Sequence, residues 1–258
     1  MAQHRMQENR FELKYIIPAP VALGIRDFAR SYLEPDEHAD VNRGFAYNIH
    51  SVYMDSPDLT LCRQTMHGHK NRFKLRVRYY DGDPAHPVFF EIKRRVNDAI
   101  LKRRAVIRRE AAMALIDGQC PGPDDLVDPG DLKSLDAIQQ FWEIASRIEA
   151  GPTVIVSYNR EARVTAENNS LRLTFDRGLT ATRFSGRFET PDVTGPSLPT
   201  VLGVILELKF TDRFPFWMRE LVQTFDLYRT AMAKYVHCIN ATRLTPITFP
   251  VEAIEAVL

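Results

Sequence analysis

From Arg72 to Tyr79 the chain alternates cation and apolar residue without a break. Arg72, Lys74, Arg76 and Arg78 hold one parity; Phe73, Leu75, Val77 and Tyr79 hold the other. A period of two belongs to a β-strand, whose successive side chains point to opposite faces. On a helix the same cations would be scattered around the whole circumference. The stretch therefore commits the chain to a sheet with one apolar and one strongly charged face. Three more strand-like runs repeat the division: Glu12-Leu13-Lys14, Glu91-Ile92-Lys93 and Glu207-Leu208-Lys209. Each sets a carboxylate and an ammonium side by side. Their other faces carry Phe11, Leu13 and Tyr15, then Phe90 and Ile92, then Leu206, Leu208 and Phe210.

Four cations on one strand face repel one another unless an anion is near. Between residues 63 and 109 there are 14 Lys/Arg and only 4 Asp/Glu, yet the whole chain carries a formal net charge of +1. A basic stripe inside a near-neutral chain points to a site for a polyanion and not to general stickiness.

Bulk properties narrow the class. With 258 residues, 45% hydrophobic and 26% charged, the chain can bury a core without metal or disulfide staples. Cys62, Cys120 and Cys238 stand far apart with no paired spacing, which argues against a disulfide framework or a zinc ribbon and fits a reducing compartment. The start is polar and contains Glu8 and Glu12, unlike a signal peptide. No apolar run approaches the ~20 residues that span a bilayer. The expectation is a single domain over residues 1–258, cytoplasmic and without a membrane span.

Along the chain, strands are expected over 10–17, 45–54, 72–80, 87–96, 99–108, 152–164, 170–175 and 201–210. Helices are expected over 20–33, 110–117, 132–148, 217–225 and 229–239. Residues 58–66 read as a short helix or turn. Asp81-Gly82-Asp83-Pro84 reads as a hairpin connection, Glu167-Asn168-Asn169 as a turn, and 178–199 as a polar irregular segment. About eight interleaved antiparallel strands predict an α+β fold: an eight-stranded barrel with a polar lumen and its apolar exterior covered by helices. Dry burial of so many cations would be prohibitive; interleaved carboxylates, water and a bound polyanion remove that objection.

Eight segments, in this order, resemble a known family. They are Arg10-Phe11-Glu12-Leu13-Lys14-Tyr15, Tyr53-Met54-Asp55-Ser56-Pro57, Lys74-Leu75-Arg76-Val77-Arg78-Tyr79-Tyr80, Glu91-Ile92-Lys93-Arg94, Tyr158-Asn159-Arg160, Arg172-Leu173-Thr174-Phe175-Asp176, Glu207-Leu208-Lys209 and Lys234-Tyr235. The family is the VTC domain, the catalytic domain of the vacuolar transporter chaperone polyphosphate polymerase. It belongs to the CYTH-like triphosphate tunnel metalloenzymes, with CYTH-type triphosphatases and class IV adenylyl cyclases. The resemblance runs over about residues 9–240.

The resemblance implies transfer of the ATP γ-phosphate to a growing polyphosphate chain, with a divalent metal, Mn2+ or Mg2+, as cofactor. Carried over by motif, Lys14, Arg76, Arg78, Lys93, Arg160 and Lys234 would bind the phosphates during catalysis. Arg63, Arg72, Lys74, Arg104, Arg172 and Lys209 would be further phosphate-binding groups, Arg172 and Lys209 also by strand parity. Glu207 would be the metal ligand, with Glu12 and Asp176 as additional candidates. The chemistry is reasonable without the family: Arg forks meet phosphate oxygens two at a time, and phosphoryl transfer needs positioning and charge neutralisation more than covalent help.

Departures from the pattern are informative. CYTH members begin Glu-x-Glu-x-Lys, whereas Arg10 fills the first acidic position, which disfavours the triphosphatase and cyclase readings. Ala233 and Cys62 stand where the family often has Ser and an aromatic. Yeast-type polymerases also carry an SPX domain and membrane helices; this chain shows neither, so transport of product would need a separate membrane partner.

Plainer readings stand beside these. The charged faces could be solvated strand faces. Glu207 could simply pair with Lys209 or a neighbouring Arg, Glu12 and Glu91 could balance charge, and Asp176 could pair with Arg172. His67-Gly68-His69 reads as loop, Trp142 and Trp217 as helix packing. Lys102-Arg103-Arg104 contains both parities, so part of it must face away. Among functions, a triphosphate hydrolase on the same fold, or a non-catalytic polyphosphate or inositol-phosphate binding module, competes with the polymerase. A nucleic-acid binder is disfavoured by the near-zero net charge.

Overall fold

The computed structural model describes residues 10–97, 99–166, 170–191, 201–211 and 213–242. Along the chain run β1 (Arg10–Ile17), α1 (Ala19–Ala29), β2 (Glu34–Pro35), β3 (Ala46–Asp55), α2 (Thr60–Met66), β4 (Asn71–Tyr79), β5 (Val88–Val96) and β6 (Ala99–Ile107). They are followed by α3 (Ala112–Ile116), α4 (Leu132–Arg147), β7 (Gly151–Val164), β8 (Leu171–Arg183), β9 (Val204–Thr211), α5 (Phe216–Thr224) and α6 (Lys234–Thr242). The strands form one sheet in the order β1-β9-β8-β7-β3-β4-β5-β6, with the two-residue β2 on β7. The expected antiparallel α+β architecture with helices is what is found. Among the described residues no helix is long and apolar enough to cross a membrane.

The chain gathers into two compact units, residues 1–47 with 159–178 and 201–232, and residues 48–158 with 179–200 and 233–258. In the first, β1 pairs with β9 and β9 with β8, so that Leu13 and Leu173 both lie opposite Leu208, and Tyr15 and Phe175 opposite Leu206. These side chains are buried with Ala22 and Ile25 of α1 and with Met218 and Leu221 of α5. Pro18 supplies the extended residue that ends β1 and opens α1, as its fixed φ and missing N–H favour. Gly203, before β9, has φ +115°, and a Cβ there would lie 2.9 Å from the Ile17 carbonyl oxygen; only glycine fits.

In the second unit β4 is central to a ladder with β3 on one side and β5 then β6 on the other. Leu75, Val77, Phe90, Ile92 and Ala105 form its apolar face, packed with Ile138 and Phe141 of α4. The rings of Phe90 and Phe141 meet edge to face at 5.0 Å. α4 is held at its start by Asp131, which accepts from the N–H groups of Lys133 and Ser134, both at 3.1 Å, a strong N-cap.

The Tyr53-Met54-Asp55-Ser56-Pro57 motif is structural. Asp55 is 1% exposed, and its carboxylate accepts from the N–H groups of Ser56 (2.8 Å), Leu61 (2.8 Å) and Cys62 (2.9 Å) and from the Tyr235 hydroxyl (2.8 Å). It satisfies the open N–H groups at the start of α2. Burial pushes the Asp55 carboxyl up, and these donors partly offset the rise.

Two of the sequence expectations shift. The segment expected to be irregular from residue 178 continues β8 as far as Arg183, and residues 192–199 lie outside the described residues. The last helix begins at Lys234, not at 229. Before it, the Thr230 N–H donates to the Lys14 carbonyl at 2.8 Å, and that tie to β1 outcompetes the helical pattern. The turn expected at 167–169 lies outside the described residues.

Candidate functional site: two carboxylate-centred cation clusters

Opposite the apolar faces, each unit carries charge. In the second unit the hub is Glu91 of β5. Register places Arg76 of β4 and Arg104 of β6 directly across from it. The Arg76 guanidinium grips Oε2 through Nε and Nη2, both at 2.6 Å. Arg104 grips Oε1 through Nε at 2.7 Å and Nη2 at 2.6 Å. Lys102 reaches Oε1 at 2.8 Å, and Arg78 stands 3.8 Å from Oε2. Four cations thus meet one carboxylate that is 1% exposed.

Burial alone would raise the Glu91 carboxyl; Arg76, Arg78, Lys102 and Arg104 overturn it and hold the group far below the usual carboxylate range. Burial likewise works against the Arg76 charge, and Glu91 more than restores it, so Arg76 stays ionised. Tyr53 and Ser51 of β3 receive weak contacts from Arg76 and Arg78 at 3.4 Å. The Arg104 guanidinium also lies over the Phe89 ring at 4.7 Å. Lys74 and Lys93 face each other across β4 and β5, and Lys93 faces Lys102 across β5 and β6. Like charges in direct register are unfavourable, and they extend the basic face beyond Glu91. Lys234 opens α6, is 8% exposed, and sets its ammonium 5.1 Å above the Tyr158 ring.

In the first unit the pairing Glu12↔Lys209, Lys14↔Glu207, Arg172↔Lys209 and Thr174↔Glu207 puts all of these on one face. Lys14 Nζ lies 3.0 Å from Glu12 and 3.5 Å from Glu207, and donates to the Met232 carbonyl at 3.1 Å. Lys209 reaches Glu207 at 2.7 Å. Arg160 forks onto Asp176 at 2.6 and 2.7 Å and lies 3.5 Å from Glu207. Arg172 instead contacts Asp36 at 2.8 Å and the Tyr47 hydroxyl at 3.3 Å. Of the two alternatives for Asp176, an ion pair does form, but with Arg160 and not with Arg172.

Carboxylates and cations are closely matched in this face. Among the described residues no group of three or more His, Cys, Asp or Glu converges as an all-protein metal cage would. Glu12 and Glu207 share the Lys14 ammonium, and Glu207, 4% exposed, is also held by Lys209 and Arg160, so a cation bound between the two carboxylates would take the place of Lys14. A small hard divalent ion is commonly held this way, by one or two carboxylates and the substrate's own phosphates.

Arg63 and Arg72 make their described contacts away from both clusters. Arg63, on α2, pairs with Asp58 at 3.8 Å. Arg72 donates to the His69 carbonyl. Of the basic triplet, Arg103 turns to Asp136 of α4, while Lys102 and Arg104 face Glu91. The sequence reading took Lys102 only as part of that triplet and not as a site residue, although it shares the parity of Arg104. Asp36 and Tyr47 lie outside any alternating charged run and gave no signal.

The antiparallel sheet backed by helices is a fold shared with a solved structure. The VTC domain model matches residues 9–243, and the chain belongs to that family. A solved Bacillus halodurans structure, assigned provisionally as an adenylate cyclase, superposes with a TM-score of 0.51 at 12% identity, covering 92% of this chain and 98% of that one. A Hippeastrum adenylyl cyclase candidate described as having dominant triphosphatase activity aligns with a TM-score of 0.46 at 13% identity, over 91% of this chain and 97% of its own. No curated protein matches the sequence.

Proposed function

We propose that the protein is a polyphosphate polymerase that moves the γ-phosphate of ATP onto the end of a polyphosphate chain. The observation that carries this reading is Glu91, one buried carboxylate surrounded by Arg76, Arg78, Lys102 and Arg104. Glu91 fixes the guanidinium planes and leaves two guanidinium charges over for an anionic ligand, with Lys102, whose pKa burial lowers to about 7, adding to them when protonated. A terminal polyphosphate oxygen attacks the γ-phosphorus, the bond to the bridging oxygen of the β-phosphate breaks, and ADP leaves with that electron pair. No protein nucleophile is required. In the second unit Arg76, Arg78, Lys93, Arg104 and Lys234 bind and orient phosphate oxygens and hold the charge that spreads over them in transfer; in the first unit Lys14, Arg160, Arg172 and Lys209 are phosphate ligands of the same kind. Glu207 and Glu12 would hold a divalent Mn2+ or Mg2+ ion, which supplies charge neutralisation between neighbouring phosphates. Asp176 aligns Arg160.

The test is incubation of purified protein with ATP and Mn2+, with and without a short polyphosphate primer, resolving products by size and counting free phosphate. ADP with lengthening chains is expected. Arg76→Ala is expected to slow the reaction about a hundredfold, the ~3 kcal/mol typical of one charge-assisted contact to a transition state, and Glu207→Gln to abolish the metal dependence. Free phosphate without chains would make the protein a hydrolase. Tight polyphosphate binding with no turnover would make it a receptor.

A further inference from the structure

One cluster of charge lies away from both basic faces. Glu161 and Arg163 of β7 and Arg177 of β8 have the parity opposite to Arg160 and Asp176. They therefore share the side on which Phe175 packs with α1. From α1, Arg26 joins them.

Glu161 is 1% exposed and Arg163 4%. Around the Glu161 carboxylate stand Arg177 Nη1 at 3.3 Å, Arg163 Nε at 3.5 Å and Arg26 Nη1 at 4.0 Å. All are looser than the 2.6 Å contact between Arg160 and Asp176, and none is a two-pronged grip. The Nε groups of Arg26 and Arg163 and Oε1 of Glu161 are buried with no hydrogen bond. Leaving such groups buried and unpaired is unfavourable, and a ligand that supplies partners relieves it. Three guanidiniums against one carboxylate also leave positive charge unmatched. The Arg26 and Arg177 side chains keep 27% and 31% exposure, so the cluster opens to solvent between them.

We propose that Arg26, Arg163 and Arg177 form a second anion site that takes a small phosphoryl oxyanion, phosphate or pyrophosphate. A tetrahedral phosphoryl group offers several acceptors at the spacing of guanidinium forks, where a carboxylate offers only two oxygens. Glu161 holds the three arginines together and weakens the site by its charge. The site does not rest on the polymerase reading, since it uses none of the residues assigned to transfer.

The experiment is calorimetric titration of the full chain with pyrophosphate at low salt, without metal. Wild type is expected to show two classes of site. Arg26→Gln with Arg177→Gln removes one class and leaves activity on ATP unchanged; Arg76→Ala with Arg160→Ala removes the other. Glu161→Gln is expected to bind about tenfold tighter at the class that the first pair removes, because a repelling charge is gone. Only one class in wild type, an unchanged titration in Arg26→Gln/Arg177→Gln, or unchanged or weaker binding in Glu161→Gln would overturn the proposal. Should the double variant not fold, the Glu161→Gln titration decides alone.

Discussion

At the scale of single residues, burial decides which titratable groups stay silent. His50 of β3 is 1% exposed, its ring stacked on Tyr79 at 5.2 Å, with Nδ1 2.8 Å from the Ser157 hydroxyl. Its Nε2 has no hydrogen-bond partner. Burial lowers its pKa to about 4, only partly resisted by Asp81. The ring is therefore neutral in the native state, whereas in the unfolded chain it protonates near pH 6.5. Above pH 6.5 both states are neutral and nothing changes. Between pH 6.5 and 4 the unfolded chain binds a proton that the native state refuses, so stability falls as pH falls. The full loss is roughly 3 kcal/mol. Urea unfolding of wild type and His50→Asn, followed from pH 7 to 4, should show the gap between the two proteins changing by about that amount; parallel curves would mean the ring is not held neutral. That His50 faces the core was not legible in the sequence, because its run, Asn48-Ile49-His50-Ser51-Val52, alternates too weakly to assign a face.

At the scale of elements, alternation was the most readable signal. Charges at one parity and apolar groups at the other defined β1, β4 and β5 to within a residue, whereas β9 starts three residues later than expected, at Val204. Where pattern and local bonding disagree, the bonding decides. The 229–239 segment has helical spacing, but Thr230 is tied to Lys14 of β1 and the helix starts four residues after Thr230. β8 runs on past Gly178 because its polar sequence hides a continuing ladder. Asp55 shows the same limit from the other side: the motif was legible, its role was not, since four donors from Ser56, Leu61, Cys62 and Tyr235 converge only in the fold. Asp55→Ala leaves those donors unanswered at the start of α2. It should cost about 2–4 kcal/mol, a lost cap plus unsatisfied buried groups, read as an earlier urea midpoint with unchanged m-value. A cost under ~0.5 kcal/mol would show that water replaces the carboxylate.

At the scale of the molecule, each unit repeats one design: an apolar sheet face sealed by helices and a charged face laced with carboxylates. The sequence carried this division because parity is a one-dimensional property. It did not carry which cation meets which carboxylate, since Glu91 with Lys102, or Arg172 with Asp36, depends on register and loop path. The two faces also differ in balance. Around Glu207 charges are matched, while around Glu91 cations are in excess. An excess of charge held in place by the fold should be relieved by a polyanion, and ligand binding to the native state alone raises stability by about 2.7 kcal/mol at ~100 times the dissociation constant. For a chain of this size that is a rise in Tm of about 5–10 °C. Tripolyphosphate at 0.1 M salt should give such a rise, most of it lost at 1 M salt, where the screening length shrinks to ~3 Å. Arg76→Ala/Arg78→Ala should respond less than wild type even though its own Tm is allowed to differ. An equal response in both proteins would place the anion elsewhere and leave Glu91 and its cations as a buried ion cluster that only holds the sheet together.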